Sequence, residues 1–514
     1  MKEWKKVLLL TLAALVFRAA HCILFRNDLI PGADQIQYIQ LGQKFAHGNF
    51  YGVLDTYWPP LFPMMIGALT HFIDSLILPS AIIAVVAGSL AVPLTYYLAK
   101  QSYGPSVAWI AAGIAFFYPH LINAVLMIGT ENVYLLWIVG AVYFGWWGLK
   151  KNSAKIFFLT GMLIGLGYLT RPEAFGYLAF FALFAFISDF RKKKVVSRSS
   201  LARIGALLLG FIILATPYIV YLRAETGHWT ISGKMGINFA GGEFNEEAEE
   251  EEIVVESKPI ENKSKVTVLF LTFFYSLIVI QKIFAYLLPF LLMVFVVLGL
   301  FADTWNKERF KREGYLIVFC MFTVLGYALS ASQARYFYIL LPIFFGWMAC
   351  GILYFRDWLE ESTKGWIPNK ASFLLGVQPF VALSLIFIYV YMLPINSFTH
   401  SAEKKWKSRG YEERAAGLWI KENSQRRPLI FSTTMRPAFY SEGKQLFPGK
   451  DNLEDLLASL KNDKADYVVF SERALKRRPF LRGLDKALQS DPDFELVYQK
   501  NDQPGYGIFV FKRK

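Results

Sequence analysis

Apolar segments recur along most of the chain and are separated by short polar connections. Most of them approach the roughly 20 residues that a helix needs to cross a bilayer, so the pattern predicts about eleven spans. They lie at 7–24, 80–99, 106–124, 132–149, 156–170, 174–190, 201–221, 283–301, 315–332, 336–355 and 371–394. The predicted fold class is therefore a polytopic α-helical integral membrane protein.

Basic residues between the spans set the predicted orientation. They fall at Lys2, Lys5, Lys6, Lys100, Lys150, Lys151, Lys155, Arg191–Lys194, Lys307–Arg312, Arg356 and Lys364, all on one side of the membrane. Because Lys and Arg favour the cytoplasmic side, we expect a cytoplasmic N-terminus and an exterior C-terminal region. No organellar targeting signal is evident, which favours the cell (inner or plasma) membrane of a prokaryote.

The same alternation divides the chain into two predicted domains. Residues 1–395 would form the membrane domain, with exterior loops at 26–79 and 224–282, and residues 396–514 an exterior soluble α/β domain. In the first loop, Asp34–Gly48 reads as a surface helix and Leu61–Ile77 as a helix packed against the bundle. In the C-terminal domain we expect helices at Glu412–Lys421 and Leu453–Lys461 and strands at Pro428–Thr433, Tyr467–Ser471 and Gly507–Phe511.

Composition agrees with a membrane protein that carries a soluble appendage. Hydrophobic residues make up 55% of the 514 residues and charged residues only 18%. The net charge of +14 comes mostly from the cytoplasmic basic residues, which meet anionic lipid headgroups, so nucleic-acid binding is not expected. Three cysteines, Cys22, Cys320 and Cys350, lie in or at apolar spans, and no disulfide framework is predicted.

Polar residues at the outer ends of the spans are the candidates for chemistry. They are Asp34, Glu131, Arg171 with Glu173, and Arg335 with Tyr336. A carboxylate at a low-dielectric boundary can act as a general base, and an arginine fork suits a phosphate.

Each candidate also has an ordinary structural interpretation. Asp34 could cap a helix, and Glu131 could be a solvated carboxylate at a helix start. Arg171 and Glu173 could form a surface ion pair, and Arg335 could be a snorkelling anchor beside an interfacial tyrosine. Because the candidates share one face while the span interiors are almost free of ionisable residues, an enzyme at the outer leaflet is favoured over a transporter.

The ordered set of motifs over residues 1–345 resembles a known superfamily, the polyprenyl-phosphate-sugar-dependent glycosyltransferases of the GT-C type, which contains protein O-mannosyltransferases and lipid A aminoarabinose transferases. The motifs are Asp34 with Tyr38, Pro59-Pro60-Leu61 with Pro63, Glu131, Leu169–Glu173, Thr216-Pro217-Tyr218 with Arg223 and Gly227, and Arg335-Tyr336 followed by Pro342.

The resemblance implies transfer of a hexosyl or pentosyl group from a polyprenyl-phosphate carrier to a protein or lipid acceptor hydroxyl on the non-cytoplasmic side. Asp34 would be the base in an inverting reaction, with Glu131 supporting or sharing that role. Arg171, Arg335 and Lys234 would stabilise the phosphate, and Tyr38, Tyr336 and Glu173 would complete the substrate site. The apolar segments 61–77 and 266–280 would help to wall a groove for the lipid chain.

Two departures from the superfamily pattern limit the substrate assignment. Tyr57-Trp58 stands where aminoarabinose transferases have Glu-Lys, and Gln35 replaces a frequent acidic residue; Asp55 could compensate or be an ordinary loop carboxylate. The acidic run Glu246–Glu252 could bind a divalent cation, but unspaced carboxylates are typical of a solvated segment, so no metal and no cofactor are predicted. A lipid or glycan flippase, or a non-enzymatic receptor, remain the alternative functions.

Overall fold

The structure is a computed structural model. It describes residues 2–25, 30–190, 197–233, 265–301, 303–329, 332–363, 377–424, 427–447, 452–501 and 507–514. Met1–Asn27 with Tyr38–Asn396 forms one compact unit, the membrane unit, and Asp28–Gln37 with Ser397–Lys514 forms the other, the C-terminal unit. The sequence places residues 28–37 in the membrane domain, whereas their contacts group them with the C-terminal residues.

Helices build the membrane unit. They are α1 (Glu3–Phe25), α2 (Ala33–Ala46), α3 (Leu61–Thr70), α4 (Leu78–Tyr103), α5 (Pro105–Phe117), α6 (Pro119–Asn123), α7 (Glu131–Lys151), α8 (Ala154–Thr170), α9 (Tyr177–Phe190), α10 (Arg198–Thr226), α11 (Lys265–Leu287), α12 (Phe290–Phe301), α13 (Lys307–Ala328), α14 (Leu341–Ser362) and α15 (Val377–Asn423). The beginning of α2, residues 33–37, and the end of α15, residues 397–423, belong to the C-terminal unit.

Among the described residues, five helices are long and apolar enough to cross a membrane, or seven if each of two bent pairs counts as one span. Helices suit this environment because they satisfy their own backbone hydrogen bonds. Shorter apolar helices, such as α8, accompany them. The predicted helical membrane fold is confirmed, and the number of eleven spans stays a prediction.

Two of the spans are bent, and their bends lie against each other. The break between α5 and α6 bends the chain by 53° at Pro119, and the break between α11 and α12 bends it by 95° before Phe290. The Tyr118 hydroxyl donates to the Leu287 carbonyl, and His120 Nε2 lies 3.3 Å from the Tyr286 carbonyl. Residues at one break therefore satisfy backbone carbonyls that the other break leaves without helical partners.

The second bend changes the predicted division of this region. The sequence separates an exterior apolar segment, 266–280, from a span at 283–301, but a single helix covers Lys265–Leu287. The break comes at Pro289, which has no N–H to continue the helix, and not at the polar pair Gln281-Lys282. Helix α3 is also shorter than predicted and ends at Thr70.

Arg18 is a second difference from the sequence analysis, which finds the span interiors almost free of ionisable groups. It lies within α1 and is fully buried. Its Nη2 donates to the Ala115 carbonyl at 3.0 Å. Within the described part of the chain, its Nε and Nη1 atoms have no hydrogen-bond partner.

The C-terminal unit contains a five-stranded mixed sheet in the order β2-β1-β3-β5-β4. The strands are β1 (Leu429–Ser432), β2 (Lys444–Leu446), β3 (Tyr467–Ser471), β4 (Phe494–Lys500) and β5 (Ile508–Arg513), and the helices are α16 (Arg436–Tyr440), α17 (Leu453–Asn462), α18 (Glu472–Arg477) and α19 (Leu484–Ser490). Strand β1 is parallel to β2 and β3, whereas β5 is antiparallel to β3 and β4. Phe431, Val468 and Phe511 share a buried core with Leu456 and Leu460 of α17.

Strands β1, β3 and β5 and helix α17 match the predicted elements to within a few residues, whereas β2 and β4 are absent from the prediction. The predicted helix Glu412–Lys421 is the last part of the much longer α15.

Candidate active site

Glu131 is the first residue of α7 and is almost completely buried, with 6% of its surface exposed. The partial positive charge at a helix start favours a carboxylate there. Gly129 makes room for it, because a Cβ atom at that position would lie 2.0 Å from Glu131 Oε2. Glu131 is therefore not the solvated helix-start residue of the ordinary interpretation.

Two arginines converge on this carboxylate from separate segments. Arg171 follows α8, and Arg335 lies in a short 3-10 helix, Ala334–Leu340. Arg171 Nη1 lies 3.6 Å and Arg335 Nε 3.5 Å from Glu131 Oε1. These distances exceed the roughly 2.7–2.9 Å of charge-assisted hydrogen bonds, so Glu131 gathers both cations without a close bond to either.

Arg171 is held by rings as well as by carboxylates. Its guanidinium carbon lies 4.1 Å from the centre of the Tyr336 ring and 5.6 Å from that of Tyr134, and its Nη2 lies 3.3 Å from Glu173 Oε1. Burial by itself lowers the pKa of Arg171, but the acidic groups around it, led by Glu173, outweigh burial and raise the pKa above its ordinary value. Arg171 therefore keeps its charge.

Three polar atoms in this cluster have no hydrogen-bond partner among the described residues. They are Glu131 Oε2, the Tyr134 hydroxyl and the Tyr327 hydroxyl, all buried. The Tyr327 ring stacks on Tyr336, with ring centres 5.2 Å apart. Because buried polar groups are nearly always paired, the cluster is incomplete as it stands. A group that can both accept and donate hydrogen bonds, such as a hydroxyl or water, would complete it.

Asp34 belongs to the C-terminal unit and lies exposed in the first turn of α2. It is not the N-cap residue, because α2 begins at Ala33 and the N-cap position is therefore Gly32. The Gly32 N–H donates to Gln35 Oε1 at 3.0 Å, which is the return half of a capping box. Gln35 thus performs the capping, and Asp34 has no role in capping the helix.

The remaining predicted residues have varied positions. Tyr38 is buried, with its ring edge-on to Trp58 and Phe62 at 5.1 and 5.3 Å. Asp55 accepts from the backbone N–H groups of Tyr57 and Trp58, which makes it a turn residue.

Lys234 and the acidic run 246–252 lie outside the described residues. Across the described residues, no group of three or more His, Cys, Asp or Glu side chains could hold a metal ion.

Tyr134 and Tyr327 are site residues that the sequence analysis overlooks. Tyr134 is three positions after Glu131 and therefore on the same face of α7, which is a signal that the sequence does contain. Tyr327, near the end of α13, has no such signal, since only tertiary packing brings it to Tyr336.

One sequence comparison finds a family model that matches part of the chain. Residues 58–221 match the family model of dolichyl-phosphate-mannose-protein mannosyltransferases, a range that includes Glu131 and Arg171. Among curated protein sequences, none matches the chain.

Solved structures extend the likeness to nearly the whole chain. ArnT from Cupriavidus metallidurans bound to undecaprenyl phosphate is similar with a TM-score of 0.62 and 11% identity, over 99% of this chain and 98% of that one. The chain has the GT-C fold. The archaeal oligosaccharyltransferase AglB from Archaeoglobus fulgidus, in complex with an inhibitory peptide and a dolichol-phosphate, is similar with a TM-score of 0.53 and 14% identity, over 92% of this chain and 70% of that one.

The resemblance to GT-C transferases predicted from the sequence is therefore confirmed. Together, the match over residues 58–221 and the GT-C fold agree with the glycosyltransferase class that the sequence indicates.

Proposed function

We propose that this protein transfers a sugar from a polyprenyl-phosphate carrier to an acceptor hydroxyl on the non-cytoplasmic side of the membrane. The observation that carries the proposal is the buried convergence of Arg171 and Arg335 on Glu131. The two arginines, the carboxylates of Glu131 and Glu173, and the Tyr134 and Tyr327 hydroxyls, which have no partner among the described residues, form a site suited to a ligand that carries both a phosphate and hydroxyl groups.

The arginines suit the leaving group of this reaction. When the bond between the sugar and the phosphate breaks, negative charge grows on the carrier phosphate, which needs electrostatic stabilisation more than a proton. Arg171 and Arg335 bring that charge in a largely water-free environment, where it acts most strongly. Glu131, whose charge is matched by both, is suited to hold the arginines in place.

Asp34 would then act alone as the base that removes the acceptor proton during in-line, inverting attack at the anomeric carbon. Its exposure in the first turn of α2 supports this role, because a general base must reach a proton on an incoming substrate. Asp34 also makes no capping bond that would occupy it.

The sidedness is supported by the two ends of α7. Glu131 begins this helix, and Lys150 and Lys151 end it. At 1.5 Å per residue, the 21 residues span roughly 30 Å, about the thickness of the apolar core of a bilayer. Since lysines favour the cytoplasmic side, the Glu131 end of α7 would lie on the other side. In the same orientation the N-terminus would be cytoplasmic and the C-terminal unit exterior.

The donor class is proposed from the carriers in the similar structures, undecaprenyl phosphate in ArnT and dolichol-phosphate in AglB. The acceptor is a lipid or protein hydroxyl, and neither a metal nor another cofactor has a part in the proposal. A flippase would move the carrier without breaking the bond between sugar and phosphate, and a receptor would bind it unchanged.

The test is sugar transfer by purified protein in lipid nanodiscs, with a panel of labelled polyprenyl-phosphate sugars and extracted envelope acceptors. We expect transfer with one donor, a loss with Asp34→Asn, and a fall of about 100-fold or more with Arg335→Gln. Arg356→Gln is the matched control, because Arg356 pairs with its exposed neighbour Asp357 away from the site. A folded protein that transfers no sugar from any donor would refute the proposal, and equal activity of Asp34→Asn would refute the base.

A further inference from the structure

The C-terminal unit holds the backbone immediately before Asp34. Arg436, the first residue of α16, donates from Nε to the Pro31 carbonyl at 3.0 Å. Its Nη1 pairs with Glu413 Oε2 at 2.9 Å, and the two side chains are only 8% and 11% exposed. Because a buried ion pair is costly unless its geometry is well satisfied, this pair fixes the position of the carbonyl that it binds.

Two more contacts hold the same short segment. Gly410 of α15 packs against Ile30 so closely that a Cβ atom would lie 2.6 Å from Ile30 Cγ2. On the other side of Asp34, Gln37 Nε2 donates to the Met435 sulfur at 3.7 Å. Residues before and after Asp34 are thus attached to α15 and to the residues that begin α16.

The first turn of α2 links the position of Pro31 to that of the Asp34 carboxylate. Gly32 follows Pro31 directly, and its N–H binds Gln35 Oε1 while its carbonyl accepts from the Ile36 N–H at 3.0 Å. The first turn of α2 is therefore built on Gly32, and Asp34 lies inside that turn. A displacement of the Pro31 carbonyl would shift the start of the helix and the direction of the Asp34 side chain.

We propose that Arg436, oriented by Glu413, is a positioning residue for Asp34, and that the C-terminal unit is a working part of the transferase. This inference rests on the proposed role of Asp34 as the base. A misplacement of about 1 Å in a reacting group can cost about 100-fold in rate. The C-terminal unit thereby has a role in catalysis.

A double-mutant cycle separates positioning from general stability. Arg436→Met should lower kcat by about 10- to 100-fold and leave KM for the lipid donor within about twofold. In the Asp34→Asn background, the same change should cause no further loss, because the group that it positions no longer acts. Losses that multiply would show a structural role for Arg436 and overturn the inference.

Gly410→Ala is a second variant that leaves no buried charge unpaired. It presses on Ile30 and should lower kcat in the same Asp34-dependent way, to a smaller extent. Lys421→Met is the matched control, because Lys421 forms a half-exposed ion pair with Glu442 elsewhere in the same unit. It should leave kcat unchanged.

Hydrogen exchange of the full-length protein in nanodiscs tests the attachment independently of activity. Arg436→Met should speed exchange at the Gly32 and Ile36 amides, with the Val468 amide of β3 unchanged. If the wild type transferred no sugar, the proposed function would fail, and the exchange result would still decide whether Arg436 holds this segment. Unchanged exchange at Gly32 and Ile36 would overturn the inference.

Discussion

The guanidinium of Arg171 lies against the ring of Tyr336, 4.1 Å from its centre. The ring face, and not the hydroxyl, makes this contact. Such a cation–π contact contributes about 0.5–2 kcal/mol, with the larger values at desolvated sites, and it fixes the plane of the guanidinium. Tyr336 is therefore placed to orient Arg171, and the role in substrate binding that the resemblance implies stays a prediction.

Substitutions at Tyr336 distinguish the ring from the hydroxyl. Tyr336→Phe keeps the ring face and should leave KM for the lipid donor within about twofold. Tyr336→Leu removes the face and should raise that KM on the order of 10-fold, the equivalent of about 1.4 kcal/mol. Steady-state kinetics in nanodiscs measure both. An equal loss in the two variants would instead assign the hydroxyl to substrate binding.

Removing the hydroxyl of Tyr134 or Tyr327, neither of which has a hydrogen-bond partner among the described residues, should affect stability and activity in opposite directions. Replacing either residue with Phe removes a buried polar group that has no partner among the described residues, so thermal stability should stay equal or rise. Sugar transfer should fall, because the hydroxyls would bind the donor. Thermal unfolding and transfer assays measure the two effects.

Tyr177→Phe is the control for those two variants. The Tyr177 hydroxyl already pairs with Thr323 Oγ1 at 3.0 Å, so its removal should lower stability slightly and leave transfer unchanged. If Tyr134→Phe and Tyr327→Phe were less stable and fully active, their hydroxyls would have a structural role only.

Gly129→Ala tests the space beside Glu131. The added Cβ would lie 2.0 Å from Glu131 Oε2, so the carboxylate must move away, and its contacts with Arg171 and Arg335 must change. We expect transfer to fall by at least 10-fold.

Gly205→Ala is the matched control for that change, since a Cβ atom at Gly205 in α10 meets nothing within 4 Å. It should be as active as the wild type and slightly more stable, because alanine favours a helix by about 1 kcal/mol over glycine. Full activity of Gly129→Ala would show that the precise position of Glu131 does not matter.

Tyr118→Phe tests the contact between the two helix bends. It leaves the Leu287 carbonyl without this donor, and an unsatisfied buried acceptor costs about 1–3 kcal/mol. We expect a lower melting temperature in nanodiscs. Tyr354→Phe, at a residue that is 42% exposed, should not change it. An unchanged melting temperature in Tyr118→Phe would mean that another donor replaces the hydroxyl.

Much of the site can be predicted from the sequence because membrane topology restricts where charges lie. Glu131, Arg171 and Arg335 each stand at a span end, and the alternation of basic loops assigns these ends to one side. Their mutual distances come only from the packing of α7, α8 and the 3-10 helix Ala334–Leu340. Tyr327 and the buried Arg18 are missed because hydrophobic periodicity does not reveal which helices meet.

The fold shows the same limit at two elements. The segments predicted at 266–280 and 283–301 are divided at Gln281-Lys282, which lies inside α11, whereas the break comes at Pro289. Strand β2 has only three residues, Lys444–Leu446, and its pairing with β1 is nonlocal. Such a strand forms only because it pairs with its neighbour. Three residues are too few to show the alternating pattern from which a strand is predicted.

The paired helix bends have a mechanical consequence. The α5–α6 bend supplies the donors, Tyr118 and His120, and the α11–α12 bend supplies the carbonyls, Leu287 and Tyr286, so straightening either span would take these partners away from carbonyls in an apolar environment. The two bent spans are therefore joined at their bends, and one of them can shift only if the other moves with it or these two contacts are lost.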